Sequence, residues 1–313
     1  MIRYIGKRIV MGLLSVFLLV TVAFFLTRYM PGSPFMTGNV SDEVLEKMEE
    51  QYGLNEPALT QYKIYMGNLL RGDLGLSYKK TGLKVTDVIC QAWGPTAVIG
   101  SLATLMAFFG GTLLGICQAC AKKGRIRNGI LFFSMLGTSV PNFVIATVFA
   151  LLFGILFKVF PISGLISWKS YILPVATLAI YPMSVVTRMM QSSIETELEK
   201  EYVTLARAKE LPGWRILLFH ILRNAWTPVL NYIGPTSAFL LTGSFVVESC
   251  FNIPGLGREF VNSIGNRDYT LILGLTIFMG IVVIGINLLV DVICAWVNPK
   301  VLTSYTGGND HER

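Results

Sequence analysis

Residues of the types that carry enzyme chemistry are sparse in this sequence. Cys117 and Cys120 have the CxxC spacing of a redox or metal site, but they end an apolar run and are expected to be small buried residues. The two histidines, His220 and His311, leave little material for a zinc site or a serine–histidine–aspartate triad. We therefore predict no catalytic residue and no metal ligand.

Nucleotide and hydrolase motifs are missing as well. The sequence contains no Gly-x-x-x-x-Gly-Lys-Ser/Thr loop for phosphates, no Gly-x-Ser-x-Gly nucleophile elbow and no His-Glu-x-x-His zinc helix. We predict that the chain is not an enzyme by itself and holds no cofactor. If ATP drives its activity, a partner chain must bind the nucleotide.

The composition is that of a membrane protein. Of the 313 residues, 53% are hydrophobic and 14% are charged, whereas a typical soluble domain is about 25% charged. A helix needs about 20 apolar residues to cross the hydrocarbon core of a bilayer. Candidate runs occur at residues 9–27, 98–121, 130–157, 171–187, 229–247 and 271–297. We predict an all-α membrane protein with six transmembrane helices.

The distribution of lysine and arginine predicts the orientation, because loops rich in these residues stay in the cytosol. Four of them occur at 122–127, after the second span, and three precede the first span. The loops after the third and fifth spans hold two each. Both termini are therefore predicted in the cytosol. The net charge of +7 is a topology signal, and we predict no nucleic-acid partner.

Two long polar segments organise the chain. Residues 1–30 hold the N-terminal segment and the first span. Residues 31–96 form an extracytoplasmic insertion, with a predicted helix in the acidic stretch at 43–52. Residues 97–300 form the membrane core, and residues 301–313 form a cytosolic tail. A cytosolic loop at about 188–227, within the core, is the most informative segment.

This cytosolic loop carries two apolar stripes at helical spacing. The first stripe consists of Ile194, Leu198, Tyr202, Leu205 and Ala206. The second stripe consists of Trp214, Leu217, Leu218, Ile221 and Leu222. Pro212 should break the helix between them, and the second helix should end before Pro228. On periodicity alone, two interpretations are equally favoured: a loop lying on the membrane interface, or a docking element for a cytosolic partner.

Specific residues in this loop resemble the EAA loop of ABC-transporter permeases, and more narrowly the peptide/nickel permease family. They are Glu-Tyr-Val-Thr-Leu-Ala-Arg-Ala-Lys at 201–209, His-Ile-Leu-Arg-Asn-Ala at 220–225 and Pro228. Similar blocks are Gly-Asp-Leu-Gly at 72–75 with Ser77, and Ile-Pro-Gly-Leu-Gly at 253–257 followed by Arg-Asp-Tyr at 267–269. Residues 241–248 and 260–264 are most similar to the B-type subunit of oligopeptide permeases. The resemblance covers nearly the whole chain in order.

The resemblance implies the permease subunit of an ATP-driven importer of peptides, with oligopeptides as the favoured cargo. The alternative is the same machine carrying dipeptides, nickel chelates or another small solute. A stand-alone secondary transporter ranks third, because the spans lack a relay of charges. The implied partners are a second homologous permease, two cytosolic ABC ATPases that carry ATP and Mg, an extracytoplasmic substrate-binding protein and the peptide. The implied location is the lipid bilayer of the cytoplasmic membrane, as a multi-pass protein.

The resemblance also implies which residues couple the chain to the ATPases. They are Tyr202, Ala206, Arg207, Ala208, Lys209, Leu211 and Gly213. The alternative explanation for the two alanines is that they favour helix formation, and for Arg207 and Lys209 it is that they are ordinary solvated charges. The family has a glycine directly after Ala-Arg-Ala-Lys, where this chain has Glu210. We therefore expect Gly213 to supply the turn instead.

Two further groups of residues are weaker candidates. Candidates for the translocation path are Asn142, Ser184, Thr187, Asn231, Ser237 and Ser244, for which the alternative is helix packing. Candidates for the outer gate or for contact with the binding protein are Asp73, Glu248, Pro254, Gly255, Arg267 and Asp268. Gly111 and Gly115 are predicted to pack closely, either against the second permease or within the bundle.

Overall fold

The computed structural model describes residues 2–30, 35, 53–80, 82–121 and 124–297. The helix predicted at 43–52 and the tail at 301–313 lie outside these residues. The regular structure of the described chain is helical, apart from an isolated antiparallel bridge between Leu76 and Lys84. The helices are α1 (Ile2–Arg28), α2 (Ala58–Leu70), α3 (Val85–Cys120), α4 (Gly124–Ser139), α5 (Asn142–Phe149), α6 (Ile172–Leu198), α7 (Glu201–Ala208), α8 (Gly213–Ile216), α9 (Leu222–Thr242), α10 (Phe245–Cys250), α11 (Leu256–Gly265) and α12 (Tyr269–Val297).

Four helical segments in the described chain are long and apolar enough to cross a membrane. They are Arg8–Arg28, Val85–Cys120, Trp168–Leu198 and Tyr269–Val292. These segments coincide with the first, second, fourth and sixth predicted spans. The prediction of an all-α protein with several candidate membrane spans is therefore confirmed.

The third predicted span, at 130–157, is broken into two helices. α4 meets α5, which a π-helical turn extends to Leu156, at an angle of 107°. Pro141 stands at the break as the N-cap residue of α5. Proline has no N–H and disfavours helical geometry at the preceding residue, here Val140, so the first helix cannot continue. The third predicted span is therefore interrupted at Pro141, and the bent pair forms either a broken span or a re-entrant element.

The fifth predicted span, at 229–247, also differs from the expectation. α9 ends at Thr242, Gly243 has a φ of 94°, and α10 starts at Phe245. Because α9 contains several polar residues, its mean hydropathy is lower than that of the four spans above. The count of six spans and the cytosolic position of the termini therefore stay predictions.

Pro228 does not end the second loop helix, contrary to the sequence prediction. α8 passes through a π-helical turn, Leu217–Ile221, directly into α9, which contains both Pro228 and Pro235. Proline inside a helix removes one hydrogen bond and kinks it, but surrounding packing can hold the helix together. Here Ala225 and Val229, on either side of Pro228, are fully buried in the core of the surrounding helices.

The described chain falls into two compact units. The first unit takes in the residues up to Thr96, together with Thr242–Ser249 and Ile253–Ile284. The second unit takes in Ala97–Leu241, Cys250–Asn252 and the residues from Gly285 onwards. The core of the first unit is a cluster of buried side chains from α3, α11 and α12: Val85, Val88, Ile89, Ala92, Leu256, Leu271 and Leu275.

The core of the second unit lies against α6. Met190 and Ile194 of α6 are fully buried there, together with Val203 of α7 and Ile216 of α8. Removing such apolar side chains from water is the main favourable contribution to the free energy of folding of this loop. The two helices of the loop therefore rest on the end of α6 and are not a free appendage.

Gly111 and Gly115 allow α3 to approach α6 closely within the second unit. A Cβ atom added at Gly111 would lie 2.7 Å from the carbonyl oxygen of Met183. One added at Gly115 would lie 2.7 Å from the carbonyl oxygen of Thr187. Small residues at this spacing let membrane helices pack backbone to backbone. The sequence left open whether these glycines pack against the second permease or within the bundle. The contacts described here are with α6 of the same chain.

Candidate coupling surface and outer network

Tyr202 forms hydrogen bonds at the start of the loop. Its hydroxyl donates to Glu197 Oε2 at 2.5 Å, and Asn224 Nδ2 lies 3.4 Å from both the Tyr202 hydroxyl and Glu197 Oε2. Burial, followed by the hydrogen bond to Glu197, raises the pKa of Tyr202 above its ordinary value. The three residues belong to α7, α6 and α9, so this network ties the loop to both helices that leave it.

The turn after α7 is a Schellman motif. The Leu211 N–H donates to the Ala206 carbonyl at 3.3 Å, and the Glu210 N–H donates to the Arg207 carbonyl at 2.9 Å. This pattern requires a left-handed residue at the position that Glu210 occupies, and Glu210 has a φ of 58°. Ala206 is buried and Leu211 packs against the same core, which is the apolar contact that accompanies the motif.

Gly213 does not supply this turn, so the expectation from the sequence is wrong. Pro212 is the N-cap residue of α8, and Gly213 begins that helix with an ordinary backbone conformation. The turn instead forces Glu210 into the left-handed region, which costs about 1 kcal/mol for a residue with a Cβ. The glycine of the family pattern is the residue that would adopt this conformation without strain.

We predict that Glu210→Gly stabilises the folded chain by about 1 kcal/mol, because glycine removes the strain of the left-handed residue. Thr204→Gly, in the middle of α7, is the matched control and should destabilise by about 0.5 kcal/mol. Thermal unfolding of the purified variants in one detergent measures both changes. A loss of stability in Glu210→Gly would show that the turn does not carry the described strain.

The outward side of the loop combines apolar and basic side chains. Leu205 and Trp214, one from each apolar stripe, are 59% and 62% exposed. Arg207, Ala208 and Lys209 are also exposed, whereas Ala206 packs inwards. We call Leu205, Arg207, Ala208, Lys209 and Trp214 the loop surface. Exposed tryptophan and arginine side chains are typical of protein interfaces.

The predicted path residues do not converge on one site. Ser184 and Thr187 are buried where α4 meets α6, and they line an apolar cavity of about 490 Å³ in the second unit. The Thr187 hydroxyl donates to the Met183 carbonyl of its own helix at 2.8 Å. The remaining four candidates lie elsewhere: Asn142 in the first turn of α5, exposed Asn231 and buried Ser237 on α9, and Ser244 between α9 and α10. Their role in transport stays a prediction.

Glu248 is the centre of a buried hydrogen-bond network in the first unit. Thr96 Oγ1 donates to its Oε1 at 2.9 Å, and the Arg258 N–H donates to its Oε2 at 2.8 Å. Thr96 Oγ1 also accepts from the Leu256 N–H at 2.9 Å. Burial raises the pKa of Glu248, and the hydrogen bonds to Arg258 and Thr96 lower it in part.

Two glycines make room for this carboxylate. A Cβ atom at Gly243 or at Gly255 would lie 2.6 Å from Glu248 Oε1. Gly243 additionally has a φ of 94°, a conformation that favours glycine. The carboxylate is therefore surrounded by the backbone that follows α9 and precedes α11. Its oxygens accept hydrogen bonds from groups of the same chain.

Asp268 has a similar role at the start of α12. It is 1% exposed and accepts from the Ser77 hydroxyl, from the Tyr78 N–H at 3.1 Å and from the Leu271 N–H at 3.3 Å. These bonds cap α12 and hold the loop that contains Ser77 against it. Arg267, directly before it, has a φ of 57° at the end of α11.

Among the predicted outer residues, Asp73 and Pro254 are exposed, whereas Glu248, Gly255 and Asp268 are buried. The sequence indicated both buried acids and placed Ser77 in a family block, but it connected neither Ser77 nor Thr96 with an acid. Thr96 and Ser77 are single hydroxyl residues far from either acid in sequence, so no spacing rule connects them. Contact between the exposed pair and a partner protein stays a prediction.

The helices, the apolar spans and the exposed two-helix loop define an all-helical integral membrane protein. The sequence profile described as binding-protein-dependent transport system inner membrane component matches residues 111–303. The profile of the N-terminal part of such membrane components matches residues 1–92. The chain therefore belongs to this family of transport-system membrane components, and the resemblance noted in the sequence is confirmed.

Relatives match over nearly the whole chain. The dipeptide transport system permease protein DppB of Lactococcus lactis subsp. cremoris (strain MG1363) is 38% identical over 96% of this chain and 99% of its own. The oligopeptide transport system permease protein OppB of Haemophilus influenzae (strain ATCC 51907 / DSM 11121 / KW20 / Rd) is 39% identical over 96% of this chain and 99% of its own. A chain of the inward-facing MetNI methionine ABC transporter shares the fold, with a TM-score of 0.53 and 15% identity over 68% of this chain and 97% of that one.

Proposed function

We propose that this chain is the permease subunit of an ATP-driven importer of peptides, located in the cytoplasmic membrane. The relatives named above are permeases of dipeptide and oligopeptide transport systems, which supports peptides as the cargo. The chain itself binds no nucleotide in this proposal. A second, homologous permease completes the translocation path, two ABC ATPases with ATP and Mg dock in the cytosol, and a substrate-binding protein delivers the peptide from outside.

The loop surface is the observation that carries this proposal. It exposes Leu205 and Trp214 as well as Arg207 and Lys209, and the Tyr202 network joins the loop to α6 and α9. A partner that binds this surface would therefore move α6 and α9 together. Charge-assisted contacts from the basic pair would hold an ATPase during its closing motion. This is the physical link needed to convert ATP hydrolysis into a change of access.

The proposal includes six spans with both termini in the cytosol. The bent pair α4–α5 supplies the third span, and α9 supplies the fifth. The basic residues at 122–127 and the loop surface then lie on the same, cytosolic side, in agreement with the positive-inside rule. The segments around Glu248 and Asp268 lie on the outer side, where they would shape the outer gate.

Reversing the basic pair tests the proposal. In proteoliposomes that contain the complete complex, Arg207→Glu with Lys209→Glu should lower peptide uptake and ATPase stimulation together by at least about tenfold, since like charges replace favourable contacts. The control is Lys158→Glu with Lys169→Glu, two exposed lysines away from the loop surface. The control should transport normally.

The same assay distinguishes the alternatives. Uptake by this chain without any ATPase would contradict the proposal and favour a stand-alone transporter. Uptake of a nickel chelate but of neither a dipeptide nor an oligopeptide would retain the ABC importer and replace the cargo. Unchanged uptake in the charge-reversal variant would show that the ATPases dock elsewhere.

A further inference from the structure

The first unit contains a cavity of about 230 Å³ that the proposed function does not use. The end of α1, residues 53–56, the helix α2, the loop after α2 and the start of α12 line it. Its walls include the rings of Phe24, Tyr78 and Tyr269, and its polar lining includes Arg28 and Tyr65. This cavity is far larger than the space needed by one water molecule, about 15 Å³, and below the 300–1,000 Å³ of drug-sized pockets.

Two buried donors in the lining of this cavity have no acceptor within the described chain. The Arg28 guanidinium donates through Nη2 to the Leu54 carbonyl at 2.9 Å, but its Nε is buried without a hydrogen-bond partner. The hydroxyl of Tyr65 is also buried without a partner. Native proteins seldom leave buried donors unpaired because the loss of hydration is not compensated, so two of them on residues that line one cavity indicate an absent acceptor.

A neighbouring tyrosine shows that these unpaired groups are not a general property of the helix. Tyr62 lies one turn before Tyr65 on α2, and its hydroxyl pairs with Thr21 Oγ1 at 2.8 Å. Tyr62 does not belong to the described lining of the cavity. The unpaired hydroxyl therefore belongs to a residue that lines the cavity, whereas the paired one does not.

We propose that this cavity binds a small ligand through its carboxylate group, which accepts hydrogen bonds from Arg28 and Tyr65. A guanidinium and a phenol are both donors, and charge-assisted bonds to a carboxylate are among the strongest that they form. The exposed carboxylate of Asp73 lines the same cavity, with Oδ1 accepting from the Gly75 N–H at 2.9 Å. Asp73, together with Glu56 in the same lining, would attract an ammonium group and would disfavour a multiply charged phosphate more than a singly charged carboxylate, so amino acids or short peptides fit best.

Binding at this site needs neither ATP nor the ATPase chains. The inference is therefore independent of the proposed transport mechanism, and each can fail without the other. The aromatic rings supply apolar surface for a side chain, whereas Arg28 and Tyr65 determine which chemical group is recognised.

Binding of glycylphenylalanine and of its C-terminal amide to the purified full-length chain in nanodiscs tests the proposal by calorimetry. The acid should bind and the amide should bind at least about tenfold more weakly, because the amide carries no negative charge. Tyr65→Phe should weaken binding of the acid about tenfold, and Arg28→Gln about a hundredfold. Tyr62→Phe should bind like the wild type. Inorganic phosphate should not compete.

Stability measurements keep the test decisive if Arg28→Gln fails to fold. Without added dipeptide, Tyr65→Phe should be at least as stable as the wild type, because it removes a buried hydroxyl that has no partner, whereas Tyr62→Phe should be less stable. Equal binding of acid and amide, equal binding by Tyr65→Phe and wild type, effective competition by phosphate, or no binding of the dipeptide would each overturn the proposal.

Discussion

Gly115→Leu is expected to lower the free energy of unfolding by about 3 kcal/mol, since it forces a side chain between two helices in contact. The added Cβ would lie 2.7 Å from the Thr187 carbonyl oxygen and 2.7 Å from Met190 Cβ. The carbonyl belongs to the backbone of α6 and cannot rotate away, and Met190 is fully buried. The two helices would have to separate, which exposes the core on which the loop rests. Denaturant unfolding in mixed micelles measures the loss.

Gly129→Leu is the matched control for this overpacking. Gly129 also lies in a long helix, α4, but a Cβ there would meet nothing within 4 Å. Because leucine has the higher helix propensity, this variant should be unchanged or up to about 1 kcal/mol more stable. If Gly115→Leu were as stable as Gly129→Leu, α3 and α6 would not pack as described.

Glu248→Ala is expected to destabilise the chain by about 4 kcal/mol. The substitution removes the acceptor of the Arg258 N–H and the nearer of two acceptors of the Thr96 hydroxyl, and it opens a cavity beside Gly243 and Gly255. Glu248→Gln retains an acceptor oxygen and should cost about 1 kcal/mol at most. Thermal unfolding of both variants beside the wild type measures the difference. Equal stability of Glu248→Ala and Glu248→Gln would contradict the bonding role of the carboxylate.

The pH dependence of stability gives Glu248 a second readout. Since burial raises its pKa in the folded chain, the unfolded chain releases this proton at lower pH than the folded chain does. The corresponding stability is fully present below the ordinary glutamate pKa and is lost as pH rises through the raised value. Wild-type stability should therefore fall over this window relative to Glu248→Gln. Parallel pH profiles for the two proteins would contradict a raised pKa.

These two predictions concern the two structural units separately. Gly115 belongs to the packing beneath the loop surface, and Glu248 belongs to the network that holds the turns around α10 and α11. In the proposed importer, the first would weaken the connection to the ATPases and the second would loosen the outer gate. Uptake assays on variants that still fold would separate these effects from a loss of stability.

The amino-acid sequence alone determined the class of this protein. A run of about 20 apolar residues has the length of a membrane-spanning helix, in which every backbone polar group pairs within the segment, so composition and run length sufficed for the all-helical, multi-span prediction. The spacing of Gly111 and Gly115 likewise predicted close helix packing. The residues at 201–209 and 220–225 were specific enough to indicate the family without any structure.

Tertiary structure decided what each local signal meant. Pro141 breaks a helix while Pro228 lies inside one, because the outcome depends on the packing around the proline. Periodicity grouped Leu205 with buried residues, but only the position of α6 shows which side of α7 is covered. The turn at Glu210 became visible through its backbone hydrogen bonds to α7.

The buried polar groups show the same limit most clearly. Glu248 depends on donors from Thr96 and Arg258, and Arg28 shares a cavity with Tyr65 and Asp73. These partners are far apart in sequence, and each is an ordinary surface residue when taken alone. A linear pattern specifies the local conformation and the face of a helix. Whether a buried polar group has a hydrogen-bond partner, or remains unpaired and available to a ligand, depends on distances that are set only when the helices pack.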